Sequence, residues 1–296
     1  MIVPICFDSF GVRSQATLIR TNINILIDPS AALAPRRYGL KPSEIERKAL
    51  EFYLTKIFEF IKLADLIFIT HYHWDHVLHY KRNYEIFKGK TIILKDYKKM
   101  HKSAKKRGKI VEEKLKDLAK IEFVDNGIKE FDNCYIEIRE FWHGEENSKL
   151  GKVNTIFIEY KNYSILYFSD NFLLDSLNYA IEKSPKFAIL DGFPTIFLNK
   201  KYSLETFLKF KENVKKFIEK TNVKQIILDH HIVRDLNYKE KIEDLIEFSN
   251  SLGTKICTAA EFIGLKNLFL EALRKYIYKG WEIDLKKYFE SYEKIL

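Results

Sequence analysis

Cysteine is nearly missing from this 296-residue chain. Its three thiols, Cys6, Cys134 and Cys257, are widely spaced and form no Cys-x-x-Cys pair. That excludes a disulfide framework and a cysteine-based zinc cluster, and leaves buried thiols. Proline (6) and glycine (11) are few, and no Gly-, Pro- or Ser-rich linker or low-complexity tract interrupts the chain. One domain is therefore expected over 1–296, ending in a helical segment from about 238. Long apolar runs are absent too. Stretches such as Leu66–Ile69 are strand-sized, far short of the ~20 residues that span a bilayer. Met1–Asp8 lacks the basic start and apolar core of a signal peptide, so a cytoplasmic location without a membrane partner is expected. Gln occurs only at 15 and 225 and Met only twice, against abundant Lys and Ile. That bias leans towards a thermophile, although plentiful Asn opposes it.

Nor is there an excess of negative charge. The balance is +9, compatible with a nucleic-acid partner and equally with a solvated lysine surface. With 46% hydrophobic and 31% charged residues, the composition is that of a globular protein with a sizeable core.

What is present begins as strands. Ile2–Phe7, Ala16–Arg20 and Ile23–Asp28 are short and β-rich, with Thr21-Asn22 as a hairpin turn. Ser43 and Glu46 form a capping box before Ile45, Ala49, Leu50, Tyr53, Leu54, Ile57, Phe58 and Ile61, which recur at helical spacing. Asp65–Thr70 is an apolar strand. Further strands are expected at Thr91–Leu94, Ile121–Val124, Cys134–Phe141, Val153–Glu159, Ser164–Phe168, Phe187–Leu190 and Gln225–Leu228. Helices are expected in the lysine-rich stretch up to Lys120, near Leu173–Ile181, at Leu204–Lys220 and from Tyr238 onward, where Thr258 and Glu261 form a second capping box. A strand meander followed by strand–helix alternation in both halves suits an α/β (α+β) fold of two mixed sheets covered by helices.

The eight histidines carry the functional signal. Four fall at His71, His73, His76 and His79; His143 stands alone, His230 and His231 are adjacent, and His101 lies among lysines. Nearly every group follows a predicted buried strand, where a sheet holds the backbone and a loop frees the side chains. In extended backbone i and i+2 share a side, so His71 and His73 can grip one ion; Asp75 and His76, past a turn, can face another. Imidazole and carboxylate donors suit zinc and its first-row neighbours. One short segment cannot complete two coordination shells, so distant strands must add ligands.

His-x-His-x-Asp-His after a strand resembles the signature of the metallo-β-lactamase superfamily, and the rest of that pattern follows in order. Asp28 closes Ile25-Leu26-Ile27; His143 lies in Phe141-Trp142-His143-Gly144; Asp170 follows Tyr167-Phe168-Ser169; His230 ends Ile226-Ile227-Leu228-Asp229-His230. The resemblance covers about positions 1 to 235. Asp229-His230-His231 with Arg234-Asp235 resembles, more narrowly, an archaeal branch of metal-dependent hydrolases. The resemblance implies a four-layer αββα sandwich with two divalent ions, Zn²⁺ foremost and Mn²⁺ or iron as alternatives. One ion would take His71, His73 and His143, the other Asp75, His76 and His230, with Asp170 between and Asp28 fixing a ligand imidazole. It implies hydrolysis by a hydroxide bridging the ions, with Asp75 orienting it. The superfamily places its last ligand one polar residue past the strand, which selects His230 over His231 and leaves His231 as a catalytic, proton-donating candidate.

Other readings weigh against this one. His79 and His101 fit surface or packed roles. Asp229-His230-His231 also resembles the tripeptide of the DHH phosphoesterases, but their further aspartate motifs are missing. The stretch Lys95, Lys98, Lys99, Lys102, Lys105, Lys106, Arg107, Lys109 could grip a phosphate backbone, yet holds a single aromatic, Tyr97, and reads better as a solvated helix face. Trp74 and Tyr72 alternate with the ligands and wedge the loop. Arg36, Arg37 and Arg234 are candidates for binding a substrate anion. The expected reaction is hydrolysis of a phosphodiester, in a small molecule, a nucleotide or nucleic acid. A lactonase or thioesterase is the alternative, and a non-catalytic nucleic-acid-binding subunit the third reading. A homo-oligomer is left open.

Overall fold

The computed structural model describes residues 1–295. Its first sheet follows chain order: β1 (Ile2–Phe7), β2 (Gln15–Arg20), β3 (Asn24–Ile27), β4 (Leu66–Ile69), β5 (Thr91–Leu94) and β6 (Lys120–Phe123). The pairings β1–β2 and β2–β3 are antiparallel and the rest parallel. The second sheet repeats the scheme with β7 (Gly127–Phe131), β8 (Cys134–Trp142), β9 (Lys152–Tyr160), β10 (Tyr163–Tyr167), β11 (Phe187–Asp191), β12 (Gln225–Asp229) and β13 (Lys255–Cys257). Here β7 to β10 pair antiparallel and β10 to β13 parallel.

Hydrophobic alternation decides the layering. Ile165, Tyr167, Ile189 and Ile227 share one buried cluster with Ile5, Leu18, Ile25 and Ile67 of the first sheet. Their neighbours Leu166, Ala188, Leu190, Ile226 and Leu228 face the opposite way, onto a second cluster. Strands buried on both faces lose the polar alternation of an exposed sheet, which is why β10 to β12 read as continuous apolar runs.

Helices cover the outer faces. On the first sheet, α1 (Glu44–Leu63) starts at the predicted capping box and buries Ala49, Tyr53, Ile57 and Ile61; α2 (Lys102–Leu115) follows β5. On the second, α3 (Leu177–Lys183) starts later than expected, while α4 (Leu204–Lys220) packs Phe207, Phe210, Val214 and Phe217 against β10 to β12. The tail holds α5 (Tyr238–Lys241), α6 (Glu243–Ser251), α7 (Ala259–Phe262), α8 (Leu270–Ile277) and α9 (Leu285–Glu293).

Two strands depart from expectation. β7 was not foreseen, because Gly127-Ile128-Lys129-Glu130-Phe131 is an edge strand with alternate side chains exposed. The segment after Tyr238 is not wholly helical: Lys255–Cys257 forms edge strand β13, too short to show a period. The two-sheet α/β sandwich is otherwise as expected. No helix among the described residues is long and apolar enough to cross a membrane.

Candidate metal centre

Loops at the C-terminal ends of the strands converge on one cluster. After β4 the chain bends at His71 and turns beyond His73, with His76 and Val77 amides both donating to the His73 carbonyl. That turn swings Asp75 and His76 round to a second side. His143 follows β8, Asp170 follows β10 and His230 follows β12. His230 has a left-handed backbone (φ 61), held by Asp229, whose carboxylate accepts the backbone N–H groups of His230, Ser9 and Ala259.

Asp170 is the hub. Its Oδ2 lies 3.4 Å from His71 Nε2, 3.5 Å from His73 Nδ1 and 3.1 Å from His143 Nε2. Its Oδ1 lies 3.0 Å from His76 Nε2 and 3.4 Å from His230 Nε2. His76 and His230 Nε2 are 3.3 Å apart, and Asp75 Oδ2 is 3.9 Å from His230 Nε2. Donors about 2.1 Å from one ion in tetrahedral array stand about 3.4 Å apart, so these are the edges expected of two coordination polyhedra sharing a carboxylate. The buried His71 Nε2 and Asp170 Oδ1 have no aligned hydrogen-bond partner among the described residues. Close approach without such alignment is what converging ligands show. The residues present fit two divalent ions.

Three of the imidazoles are oriented from behind. His71 Nδ1 meets the hydroxyls of Thr70 and Ser169, both at 3.2 Å. His76 Nδ1 donates to Asp28 Oδ2 at 2.8 Å, and that carboxylate also accepts from the Thr70 amide, the Thr70 hydroxyl and the Tyr167 hydroxyl. His230 Nδ1 donates to Asp8 Oδ2 at 2.7 Å. Such carboxylate–imidazole contacts fix the tautomer and raise ligand basicity.

Electrostatics separate the two donor sets. Burial pulls the imidazolium forms of His71 and His143 down. Burial acts on His76 and His230 as well, but Asp170 and Asp28 outweigh it at His76, and Asp8 with Asp170 push His230 up to about 10. The neighbouring histidines hold Asp75 and Asp170 below the usual carboxylate range despite their burial. In the metal-free protein, protons on His76 and His230 supply positive charge that a divalent ion would provide.

No family model matches the chain. Full-length relatives do. UPF0282 protein MJ1629 of Methanocaldococcus jannaschii is 36% identical over 299 residues, covering 96% of this chain and 98% of that one. UPF0282 protein PF0593 of Pyrococcus furiosus is 35% identical, covering 97% and 95%. The chain belongs to the UPF0282 family. Solved structures share its fold at low identity. A metal-dependent hydrolase of the β-lactamase superfamily, Tm1679, has TM-score 0.51 at 17% identity, covering 87% of this chain and 96% of that one. A possible metal-dependent hydrolase from Veillonella parvula has TM-score 0.54 at 13% identity, covering 87% and 94%. An isothiocyanate hydrolase from Delia radicum gut bacteria has TM-score 0.54 at 14% identity, covering 83% and 94%. This UPF0282 chain therefore has the metallo-β-lactamase fold.

The remaining expected residues are placed less uniformly. His231 lies beside the cluster, its Nδ1 on Asp191. Arg234 is buried against Asp8 (Nε to Oδ1, 2.6 Å), with Nη2 3.7 Å from Asp75 Oδ2 and 3.4 Å from His230 Nε2. It is both a structural partner and a cation at the rim of the second donor set. Arg37 is half-buried and donates to the Arg234 carbonyl, whereas Arg36 is exposed. His79 packs on Trp74, and His101 caps α2. Lys95 leaves the basic stretch altogether: it is buried between Asp125 and Glu140, at 2.7 Å from each. Arg107 lies over the Trp74 ring and donates to the Tyr72 carbonyl, bracing the metal loop as the alternating aromatics do. Lys98, Lys99, Lys102, Lys105, Lys106 and Lys109 are exposed.

Two site residues escaped the sequence reading, Asp8 and Asp191. A signal existed: apolar strand segments end on aspartate at Phe7-Asp8 and Leu190-Asp191, just as at Ile27-Asp28 and Leu228-Asp229.

Proposed function

We propose that this protein is a metal-dependent hydrolase using two divalent ions, Zn²⁺ foremost, to cleave phosphodiesters of nucleotide or nucleic-acid type. The observation that carries it is the Asp170 carboxylate, whose two oxygens face two separate sets of imidazoles across edge-length distances. His71, His73 and His143 would hold one ion, and Asp75, His76 and His230 the other. When bound, the ions supply water activation near neutral pH and stabilise developing negative charge. The chain's own residues do the rest. Asp28 and Asp8 keep His76 and His230 turned towards the cluster. Asp75 carries a free acceptor that orients the attacking water. Arg234, fixed by Asp8, presents a cation beside the same set, suited to an anionic substrate. His231 stands at the rim, with one ring nitrogen held away from the cluster by Asp191.

The discriminating experiment loads purified protein with Zn²⁺ or Mn²⁺, measures metal content, and assays phosphodiesters, lactones and thioesters side by side. Two equivalents of metal with phosphodiester turnover are expected. Turnover of lactones or thioesters with phosphodiesters left intact would replace the substrate class. Absence of bound metal would remove the hydrolase reading.

A further inference from the structure

His230 and His231 follow β12 side by side, and the sequence pattern assigns one coordination position to the pair. We propose instead that both bind, and that His231 is a fifth protein donor to the ion of Asp75, His76, His230 and Asp170. This rests on the two-ion reading above and adds one ligand to it.

The orientation of the ring comes first. Asp191 receives His231 Nδ1 at 2.8 Å on one oxygen and 2.9 Å on the other, and also accepts the His231 backbone amide. With Nδ1 engaged, Nε2 is left as the free ring nitrogen. A ring nitrogen of His231 lies within 4.8 Å of ligand atoms of Asp170 and His230, so the three form a group able to share an ion.

Hydrogen-bond polarity then distinguishes three of the clustered histidines from two outside the site. His71, His76 and His230 have side-chain oxygens against Nδ1 and turn Nε2 into the cluster. His79 and His101, outside the site, use Nδ1 as an acceptor, from the amides of Lys81 and Ala104. His231 has the first pattern, that of a metal-binding imidazole with a carboxylate behind it.

Asp191 supplies an independent reason. It is fully buried, and its side-chain oxygens have only His231 as hydrogen-bond partner among the described residues. A buried carboxyl group committed to one imidazole is the support that carboxylate–histidine–metal triads place behind a ligand. Gly192 makes the approach possible. A Cβ there would stand 2.3 Å from Ile232 Cγ2, so any larger residue would push the His231 loop off the end of β11.

Five protein donors exceed the four of a closed tetrahedral zinc site. They suit five-coordinate zinc, or Mn²⁺ or Fe²⁺ with their higher coordination numbers. The first donor set, with His71, His73, His143 and Asp170, stays at four.

The test uses full-length protein and the metals alone. Wild type, His231→Gln, Asp191→Asn and the control His79→Gln are titrated with Zn²⁺ and Mn²⁺ against a competing chelator, with folding checked by circular dichroism. His231→Gln keeps a donor for Asp191 and removes the ligand nitrogen. It is expected to weaken one of the two equivalents at least tenfold and leave the other unchanged; Asp191→Asn does the same by about tenfold. His79→Gln changes neither. A crystal structure of the loaded wild type is expected to show His231 Nε2 about 2.0–2.2 Å from the second ion. Two unchanged equivalents in His231→Gln, or an Nε2 beyond about 3 Å, would overturn the inference while leaving the two-ion reading intact. A wild type that binds no metal would overturn both.

Discussion

The two donor sets that meet on Asp170 are built on different supports. His71 is steadied by neutral hydroxyls, Thr70 and Ser169, whereas His76 and His230 are steadied by the carboxylates Asp28 and Asp8. The consequence is electrostatic. Without metal, His71 and His143 of the first set favour the neutral form that binds a cation, and His76 and His230 of the second retain protons. On the two-ion proposal, His71 and His143 are ready for metal at neutral pH, whereas the second set would exchange protons for its ion. Placing fixed negative charge behind one set strengthens its pull on an ion and makes its loading pH-dependent.

The largest expected effect removes what the sets share. Asp170→Ala should lower bound metal from two equivalents to one or none and cut turnover by roughly a hundredfold or more, since both ions lose a donor. Unchanged metal content would remove Asp170 from its bridging role. Next, Asp8→Asn touches only the second set, removing the negative charge that His230 and Arg234 share and one of their two acceptor oxygens. One equivalent should weaken about 10–100-fold while the other keeps its affinity; equal weakening of both would erase the distinction.

Acidity should also divide them. His76 and His230 are raised above their unfolded value, so their protonation stabilises the metal-free fold below pH 6.5, and that contribution is lost as pH rises towards about 10. Metal binding at the second set must expel those protons. Its affinity should therefore climb with pH between about 6.5 and 10, with one to two protons released, while the first set stays nearly flat above pH 6.5. Calorimetric titrations in buffers of different ionisation enthalpy count the protons, and a zero count at neutral pH would contradict the assignment. The smallest effect is expected from Thr70→Val, which takes a hydroxyl from His71 and from Asp28 without changing charge. Loss of affinity at the first set should stay within about tenfold, at the low end of the range for residues behind a metal ligand.

Much of this centre is readable from the chain because its ligands obey local rules. His71 and His73, two positions apart, reach the same Asp170 oxygen, and Asp75 and His76 follow in a tight turn; both are consequences of short-range geometry. The capping boxes at Ser43 and Thr258 are likewise contacts across three residues. Asp8 and Asp191 were less legible, since an aspartate closing an apolar strand is also an ordinary solvent-facing turn residue. Only contacts 222 and 40 positions away, to His230 and His231, give them a task. The sequence left the roles of Lys95 and Arg234 open for the same reason. Their charges read as available, and folding commits Lys95 to Asp125 and Glu140 and Arg234 to Asp8.

By itself, then, the order of residues determined the strand periods, the helix starts and the grouping of candidate donors at His71, His73, Asp75 and His76, because each depends on neighbours a few positions apart. Tertiary structure alone decided that Asp170 turns one oxygen to each donor set. It also decided that hydroxyls stand behind His71 and carboxylates behind His76 and His230. Those relations join loops that meet only when the two sheets bury their apolar faces together, and charge acts through space rather than along the chain.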